Sequence, residues 1–159
     1  MLLLMAAIPS AAVNDEETLL AGEIRSHFEV GRMDAGRKAL DRFRARFPTS
    51  AYLPELALVE ARAERNPYEA LRLYERFLET YEKNPSAPAA LLDMAELQFV
   101  TGNVNFAMRD AKRLVDRFPG AAESEKARYL LARSAEVLGR SAEAANEYAS
   151  LVALDRRRV

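Results

Sequence analysis

The sequence offers one candidate for acid–base chemistry, a histidine next to a carboxylate. His27 follows Glu23 by four residues, which places both on one face of a helix. A metal centre or a nucleophilic triad needs further partners, yet the chain has one histidine and no cysteine. His27 also lies between apolar Ile24 and Phe28. We therefore expect a structural histidine, with no catalytic residue, no metal site and no cofactor.

Two clusters of basic residues are a second candidate chemistry, because cationic side chains contact the phosphates of nucleic acids and lipids. The clusters comprise Arg37, Lys38, Arg42, Arg44 and Arg46, and then Arg109, Lys112, Arg113 and Arg117. Aspartates interleave with both clusters, and over the whole chain 23 basic residues nearly cancel 24 acidic ones. This balance favours solvated helix faces and argues against a nucleic-acid partner.

Eight helices are the elements that must position these side chains. From Asn14 onward, apolar residues recur with the period of about 3.6 residues that is typical of an amphipathic helix. Asn14 and Glu17 form a capping box for the first helix, and Asn66, Pro67 and Glu69 mark the start of the fourth. No segment shows the alternation of a strand, so the sequence predicts an all-α fold.

Small residues recur in the same local setting with a spacing of roughly 34 to 37 residues, which is typical of stacked helix pairs. They are Gly36, Ala70, Ala107 and Ala144. Five residues before each of them stand, in the same order, Gly31, Arg65, Gly102 and Gly139. We expect the three glycines to form the turns within helix pairs.

These positions resemble tetratricopeptide repeats (TPRs), which carry small residues near their eighth and twentieth positions and a glycine turn between them. The eighth positions are Ile24, Leu58, Ala95 and Ala132, so the third and fourth repeats match better than the first two. The resemblance implies a TPR domain over residues 13–159, with repeats at 17–50, 51–87, 88–124 and 125–158. It further implies an alpha solenoid, a right-handed α-α superhelix of about four helix pairs.

The N-terminus resembles a secretory signal peptide. Residues 1–8 are uninterruptedly apolar, Pro9 follows, and Ser10, Ala11 and Ala12 are the small residues that precede a cleavage site. Residues 1–12 are then removed, leaving a periplasmic or exported chain with no transmembrane segment. The alternative is a cytoplasmic TPR adaptor or secretion-system chaperone in which residues 1–12 pack on the first helix pair.

The junctions between repeats point to the same compartment. Residues 46–51 and 117–122 both read as an arginine, a phenylalanine and a proline followed by small residues. Such junctions resemble those of bacterial cell-envelope TPR proteins, the outer-membrane assembly lipoprotein BamD and the Tol-Pal coordinator. The chain has no cysteine to accept a lipid as BamD has. The resemblance implies an envelope scaffold that binds proteins.

In TPR proteins the first helix of each pair lines a concave groove that binds a protein or peptide ligand. The corresponding side chains mix aromatic and charged types, which suits partner binding. They are Arg25, Phe28, Tyr52, Glu55, Val59, Arg62, Ala89, Leu92, Glu96, Phe99, Lys126, Tyr129, Arg133 and Glu136. The lysine and asparagine clamp with which some TPRs grip a terminal carboxylate is missing from these positions.

The last predicted helix presents Ala145, Tyr148 and Val152 with little sequence after them to cover these side chains. Solenoids usually end in a polar capping helix. We therefore expect self-association, or docking of a partner, through the C-terminal helix.

Overall fold

A computed structural model describes the backbone of residues 10–155 and the side chains of residues 15–153. Within this range the chain is all-α and shows no strand. Its helices are α1 (Ser10–Glu29), α2 (Met33–Arg46), α3 (Leu53–Ala63), α4 (Pro67–Thr80), α5 (Ala87–Val100), α6 (Val104–Arg117), α7 (Glu123–Val137) and α8 (Ser141–Asp155). The predicted eight helices are confirmed for this part of the chain.

The helices fall into two compact units, the first ending at Ala63 and the second beginning at Glu64. The prediction of one TPR domain over residues 13–159 stays a prediction. In unit 1, α1 packs against α2 and α3, and α2 packs against α3. In unit 2, each helix from α4 to α8 packs against the next, and α5 also packs against α7.

The core of unit 1 contains one unusually close approach between helices. Phe28 of α1 is buried, and its ring lies against Gly36 of α2. A Cβ atom on Gly36 would lie 2.7 Å from Cε1 of Phe28, closer than real Cβ contacts. The small residue of the first repeat is therefore a glycine because a large ring occupies the space opposite it.

Unit 2 achieves close packing with alanines instead. Ala95 of α5, Ala107 and Ala111 of α6 and Ala132 of α7 have no exposed surface, and Ala144 of α8 is buried. Small side chains allow helix backbones to approach closely, and a larger residue at such a site would need the helices to separate. The small residues that define the repeat thus lie in the core, as the sequence predicts.

Three glycines end the first helix of a pair, as expected from their spacing. Gly31, Gly102 and Gly139 have φ angles of 76°, 82° and 71°, the left-handed region in which a side chain is strained. After each glycine, the next backbone N–H donates to a carbonyl five residues earlier, as Arg140 does to Ala135 at 2.8 Å. This is the Schellman arrangement that closes helix C-termini.

The start of α4 is close to the predicted one but differs in its glutamate. Asn66 accepts hydrogen bonds from the N–H groups of Tyr68 and Glu69, and Pro67 is the first helical residue. Glu69, which the sequence pattern indicates as the partner of Asn66 in a capping box, does not bind the Asn66 N–H, because that group donates to Glu64 at 2.7 Å. Glu69 instead pairs with Arg72 at 3.2 Å, one helical turn away. The capping glutamate precedes the helix instead of lying inside it.

The first helix begins earlier than predicted. Because α1 includes Ser10, Asn14 lies within the helix, and the predicted helix start at Asn14 is wrong. Of the predicted signal peptide, residues 1–12, the structure describes residues 10–12, which are helical, and the rest lies outside the described residues. Among the described helices, none is both long enough and apolar enough to cross a membrane.

Candidate functional site

In unit 1, three predicted partner-binding residues, Arg25, Tyr52 and Glu55, bond to side chains of the same unit, and a fourth, Phe28, lies in the core. Arg25 of α1 donates through Nε to Glu55 of α3 at 2.9 Å. The Tyr52 and Thr18 hydroxyls are hydrogen-bonded at 3.0 Å. Phe28 is only 2% exposed, because its ring fills the space beside Gly36, so it offers no surface to a partner. These contacts hold α3 onto α1.

Two further predicted residues of unit 1 lie on α3. Val59 is half-buried and Arg62 is exposed. The neighbouring Glu60 is buried and accepts from Arg37 of α2 at 3.2 Å, with Arg44 of α2 at 3.8 Å. A carboxylate that is nearly removed from water needs such cationic partners. This site therefore ties α2 to α3.

The basic clusters are largely used in ion pairs within their own unit. In the α2 cluster, Arg46 pairs with Glu16 at 2.6 Å, in addition to the contacts of Arg37 and Arg44 with Glu60. In the α6 cluster, Lys112 pairs with Asp116 at 2.9 Å. These clusters consequently have less free positive charge than their sequence suggests.

Arg117 of the α6 cluster pairs with Glu82 at 2.6 Å. A hydrogen bond and the positive charge of Arg117 lower the pKa of the Glu82 carboxyl from its usual value. The pair fastens the end of α6 to the segment between α4 and α5.

A buried carboxylate connects α5 and α6. Asp110 is 2% exposed and accepts from Nε2 of Gln98 at 3.0 Å. Arg109 donates to both Asp110 oxygens, at 3.0 and 2.9 Å, and this hydrogen bonding raises the pKa of the Arg109 guanidinium. The Gln98–Asp110 bond joins α5 to α6, and the Arg109 contact within α6 compensates the charge of the buried carboxylate.

His27 lines a small cleft of about 230 Å³ in unit 1, between α1 and α2. Its neighbours include Leu20, Ile24, Ala39 and Phe43, with Glu23 and Arg42 among the polar residues lining the cleft. Within the described residues, no group of three or more histidine, aspartate or glutamate side chains is placed to hold a metal ion. The histidine is half-buried.

Unit 2 contains a much larger groove of about 890 Å³ between α5 and α7. Five α7 residues line it: Glu125, and at the spacing of one helix face Lys126, Tyr129, Leu130 and Arg133. The other lining residues are Glu96 and Phe99 of α5, Ala122, and Leu151 of α8. Five of the fourteen predicted groove residues are therefore brought together here: Glu96, Phe99, Lys126, Tyr129 and Arg133.

Tyr129 is the most exposed aromatic residue of this groove. Its side chain is 53% exposed, and its ring meets that of Tyr148 on α8 edge-on, with 6.3 Å between ring centroids. The Tyr148 hydroxyl donates to Glu136 of α7 at 3.0 Å, and burial together with this bond raises the pKa of Tyr148. Tyr148 thus holds α8 against α7 while Tyr129 stays open to the groove.

The remaining predicted residues of unit 2 do not line the groove. Leu92 is buried in α5, and Glu136 is occupied by Tyr148 and by Arg133, whose Nε lies 3.7 Å from Glu136 Oε2. Conversely, the sequence pattern misses Leu130 and Leu151. The pattern places Leu151 in the apolar stripe of the last helix, and only the packing of α8 on α7 shows that it reaches the groove.

The predicted self-association through α8 stays a prediction. Val152 is 53% exposed and Ala145 is also exposed. Tyr148, by contrast, is half-buried by its contacts with α7.

Solved structures of repeat proteins are similar to this chain. MamA superposes with a TM-score of 0.69 at 14% identity, covering 93% of this chain and 83% of MamA. A kinesin light chain-like protein of Podosopora anserina with nearly identical TPR-like repeats gives 0.64 at 18% identity, covering 89% and 76%. The chain has the TPR-like repeat fold.

The likeness extends to a second MamA structure, from MSR-1, with a TM-score of 0.60 at 20% identity, covering 86% of this chain and 75% of that one. No family model matches the chain, and no curated protein sequence matches it. At these identities the similarity shows the fold, an all-α solenoid of TPR-like helix pairs.

Proposed function

We propose that this protein is a non-catalytic interaction scaffold that binds a peptide or protein segment in the groove between α5 and α7. The observation that carries the proposal is the half-exposed Tyr129 in a groove of about 890 Å³ whose lining also includes Phe99 and Leu151. Ligand sites are concave and mostly apolar, with a few polar groups that orient the ligand. Aromatic residues are also enriched where proteins bind partners.

The groove has the polar groups that a specific site needs. Lys126 and Arg133 lie on its α7 side and Glu96 on its α5 side. Charges at the edge of an interface select the partner and its orientation more than they add affinity. Apolar anchors with charges of both signs around them favour a polypeptide ligand over a purely apolar small molecule.

Affinity capture from a native cell extract tests the proposal. The variant Phe99→Ala/Tyr129→Ala removes both aromatic anchors, and we expect it to lose the captured partner. Tyr68→Ala is the matched control, because Tyr68 is 73% exposed on α4 and does not line the groove. Equal capture by both variants, with equal helical content, would contradict the proposal.

We also propose that the scaffold acts in the bacterial cell envelope, as an exported protein of BamD-like or Tol-Pal coordinator-like type. The signal-like residues 1–12 and the repeat junctions at 46–51 and 117–122 support this location. N-terminal sequencing of the native protein tests it. A mature chain that begins at Val13 is expected, and retention of Met1 in a cytosolic fraction would contradict export.

A cytoplasmic adaptor or secretion-system chaperone with the same groove is the second candidate. One structural observation favours it: α1 begins at Ser10, so the predicted cleavage site after Ala12 lies inside a helix. In this case residues 1–12 belong to the functional protein. The same N-terminal sequencing separates the two candidates.

A further inference from the structure

The α7 wall of the groove carries an ordered pattern of charge and apolar surface. Lys126, Tyr129, Leu130 and Arg133 stand at positions i, i+3, i+4 and i+7, so that two cations bracket two apolar residues on one face. At 1.5 Å of rise per residue, the two cations attach about 10 Å apart along the helix.

Both cations are available to a ligand. Within the part of the chain that the structure describes, Lys126 has no ion-pair partner. Arg133 has a weak one, Glu136, whose Oε2 lies 3.7 Å from the guanidinium Nε. That same Oε2 accepts the hydrogen bond of the Tyr148 hydroxyl at 3.0 Å. A carboxylate on a ligand can therefore bind Arg133 without first breaking a close ion pair.

The two walls differ in net charge. The α7 wall carries the cations Lys126 and Arg133 and one carboxylate, Glu125, whereas the α5 wall carries only the carboxylate of Glu96, which among the described residues has no ion-pair partner. An anionic group is thus favoured on the α7 side, above all beside Arg133, which lies two turns from Glu125. The groove can distinguish the two faces of a ligand by their charge.

Building on the proposed function, we propose that the groove binds an amphipathic helix with two acidic residues seven positions apart that bracket two adjacent apolar residues. In a helix, residues at i and i+7 share a face with those at i+3 and i+4. The acidic pair then matches the spacing of Lys126 and Arg133. The apolar pair packs on Tyr129 and Leu151, beside the largely buried Leu130, as in other recognition of helices in grooves.

Four blocked 18-residue peptides on an alanine and glutamine background test this pattern by fluorescence anisotropy. The first carries Glu-x-x-Leu-Leu-x-x-Glu at its centre. In the others, both glutamates are glutamine, both glutamates are lysine, or both leucines are alanine. We expect the glutamate peptide to bind about tenfold more tightly than the lysine peptide at low salt, with less discrimination as salt rises. The peptide in which both leucines are alanine should bind more weakly than the glutamate peptide and the glutamine peptide.

Reversing the two positive charges of the protein tests most directly whether they select the ligand. Lys126→Glu/Arg133→Glu should invert the preference, so that the lysine peptide becomes the tighter ligand. Arg76→Glu/Lys83→Glu is the matched control, since it changes the net charge equally at exposed positions outside the groove. The control variant should keep the original preference.

Other results overturn the inference in distinguishable ways. Equal binding of the glutamate, glutamine and lysine peptides, all lost in Phe99→Ala/Tyr129→Ala, would reject the charge pattern and leave the groove as the binding site. Peptide binding that is unaffected by Phe99→Ala/Tyr129→Ala would reject both the charge pattern and the groove as the binding site. If none of the four peptides binds, the helical ligand is rejected, and capture from the native extract alone decides the proposed function.

Discussion

Units 1 and 2 use corresponding repeat positions in different ways. In unit 1, Arg25 pairs with Glu55 and Tyr52 bonds to Thr18, so that side chains expected to meet a partner instead hold α1 and α3 together. In unit 2, Tyr129 stands at the fifth repeat position, as Glu55 does in unit 1, and Phe99 at the twelfth, as Phe28 does, and both line an open groove. The position of a residue in its repeat determines which way its side chain faces. The side chains on the neighbouring helix then determine whether that residue is free to contact a partner.

The cores of the two units also differ in how their helices pack closely. Unit 1 combines a phenylalanine with a glycine where unit 2 combines alanines. A glycine within a helix costs about 1 kcal/mol relative to alanine, so the first repeat keeps Gly36 at the expense of helix propensity. Packing of the Phe28 ring offsets that cost.

The largest expected effect distinguishes the two phenylalanines. Phe28→Ala leaves a cavity in the core of unit 1 and should lower the free energy of unfolding by about 3 to 5 kcal/mol. Phe99→Ala, at a half-buried groove position, should cost clearly less. Urea denaturation measures both losses, and amide exchange of α1–α3 for Phe28→Ala and of α5–α7 for Phe99→Ala assigns each loss to its unit. Similar losses for the two variants would remove the distinction between core and groove residues.

Gly36→Ala is the next test, because its Cβ would lie 2.7 Å from the Phe28 ring. We expect a loss of about 1 to 3 kcal/mol in unfolding free energy, since overpacking outweighs the gain in helix propensity. Gly22→Ala is the matched control: no atom lies within 4 Å of the position that its new methyl group would occupy, so propensity alone should act. That variant should gain up to about 1 kcal/mol. A stabilising Gly36→Ala would show that the ring can move aside.

The Arg25–Glu55 pair should have a smaller effect. Both side chains are partly exposed, so a double-mutant cycle with Arg25→Ala and Glu55→Ala should give a coupling of about 0.2 to 1 kcal/mol that falls with added salt. The same variants should leave ligand affinity unchanged. A loss of ligand binding in Arg25→Ala, with stability retained, would show that unit 1 is part of the binding surface.

The smallest effect concerns the phenol that holds α8 on α7. Burial, and then the hydrogen bond to Glu136, raise the pKa of Tyr148, so the folded state favours the protonated phenol. Its contribution to stability is fully present below the ordinary tyrosine pKa of about 10 and is lost as the pH rises through the higher folded value.

Titration of ¹³C-labelled tyrosine rings by NMR measures this shift directly. Glu136→Gln removes a negative charge and should bring the pKa of Tyr148 closer to its ordinary value. An unchanged titration curve in Glu136→Gln would show that the carboxylate does not act on the phenol.

Much of the fold follows from the sequence, because the signals are local. The glycines at 31, 102 and 139 mark turns through their backbone freedom, and Asn66 with Pro67 marks a helix start through hydrogen-bond chemistry. The start of α1 does not follow in this way, because Asn14 resembles a capping residue whether or not a helix precedes it. Capping patterns indicate a helix terminus only when the chain before them is not helical.

The groove is less predictable, since it depends on contacts between helices. Glu55 and Tyr129 both stand at the fifth position of their repeats, but Glu55 is bound by Arg25 of the neighbouring helix, whereas Tyr129 faces the groove. Leu151 reaches the groove only because α8 folds onto α7. No periodic pattern along one helix contains this information.

Site-specific photocrosslinking in the native host tests the central claim, that the groove of unit 2 is the binding surface and the matching face of unit 1 is not. A p-benzoylphenylalanine replaces Tyr129, Tyr52 or Tyr68 in three otherwise identical proteins. We predict a crosslinked partner from position 129 and background yields from positions 52 and 68. Comparable yields from position 52, or a partner captured by the protein that never crosslinks from position 129, would contradict the claim.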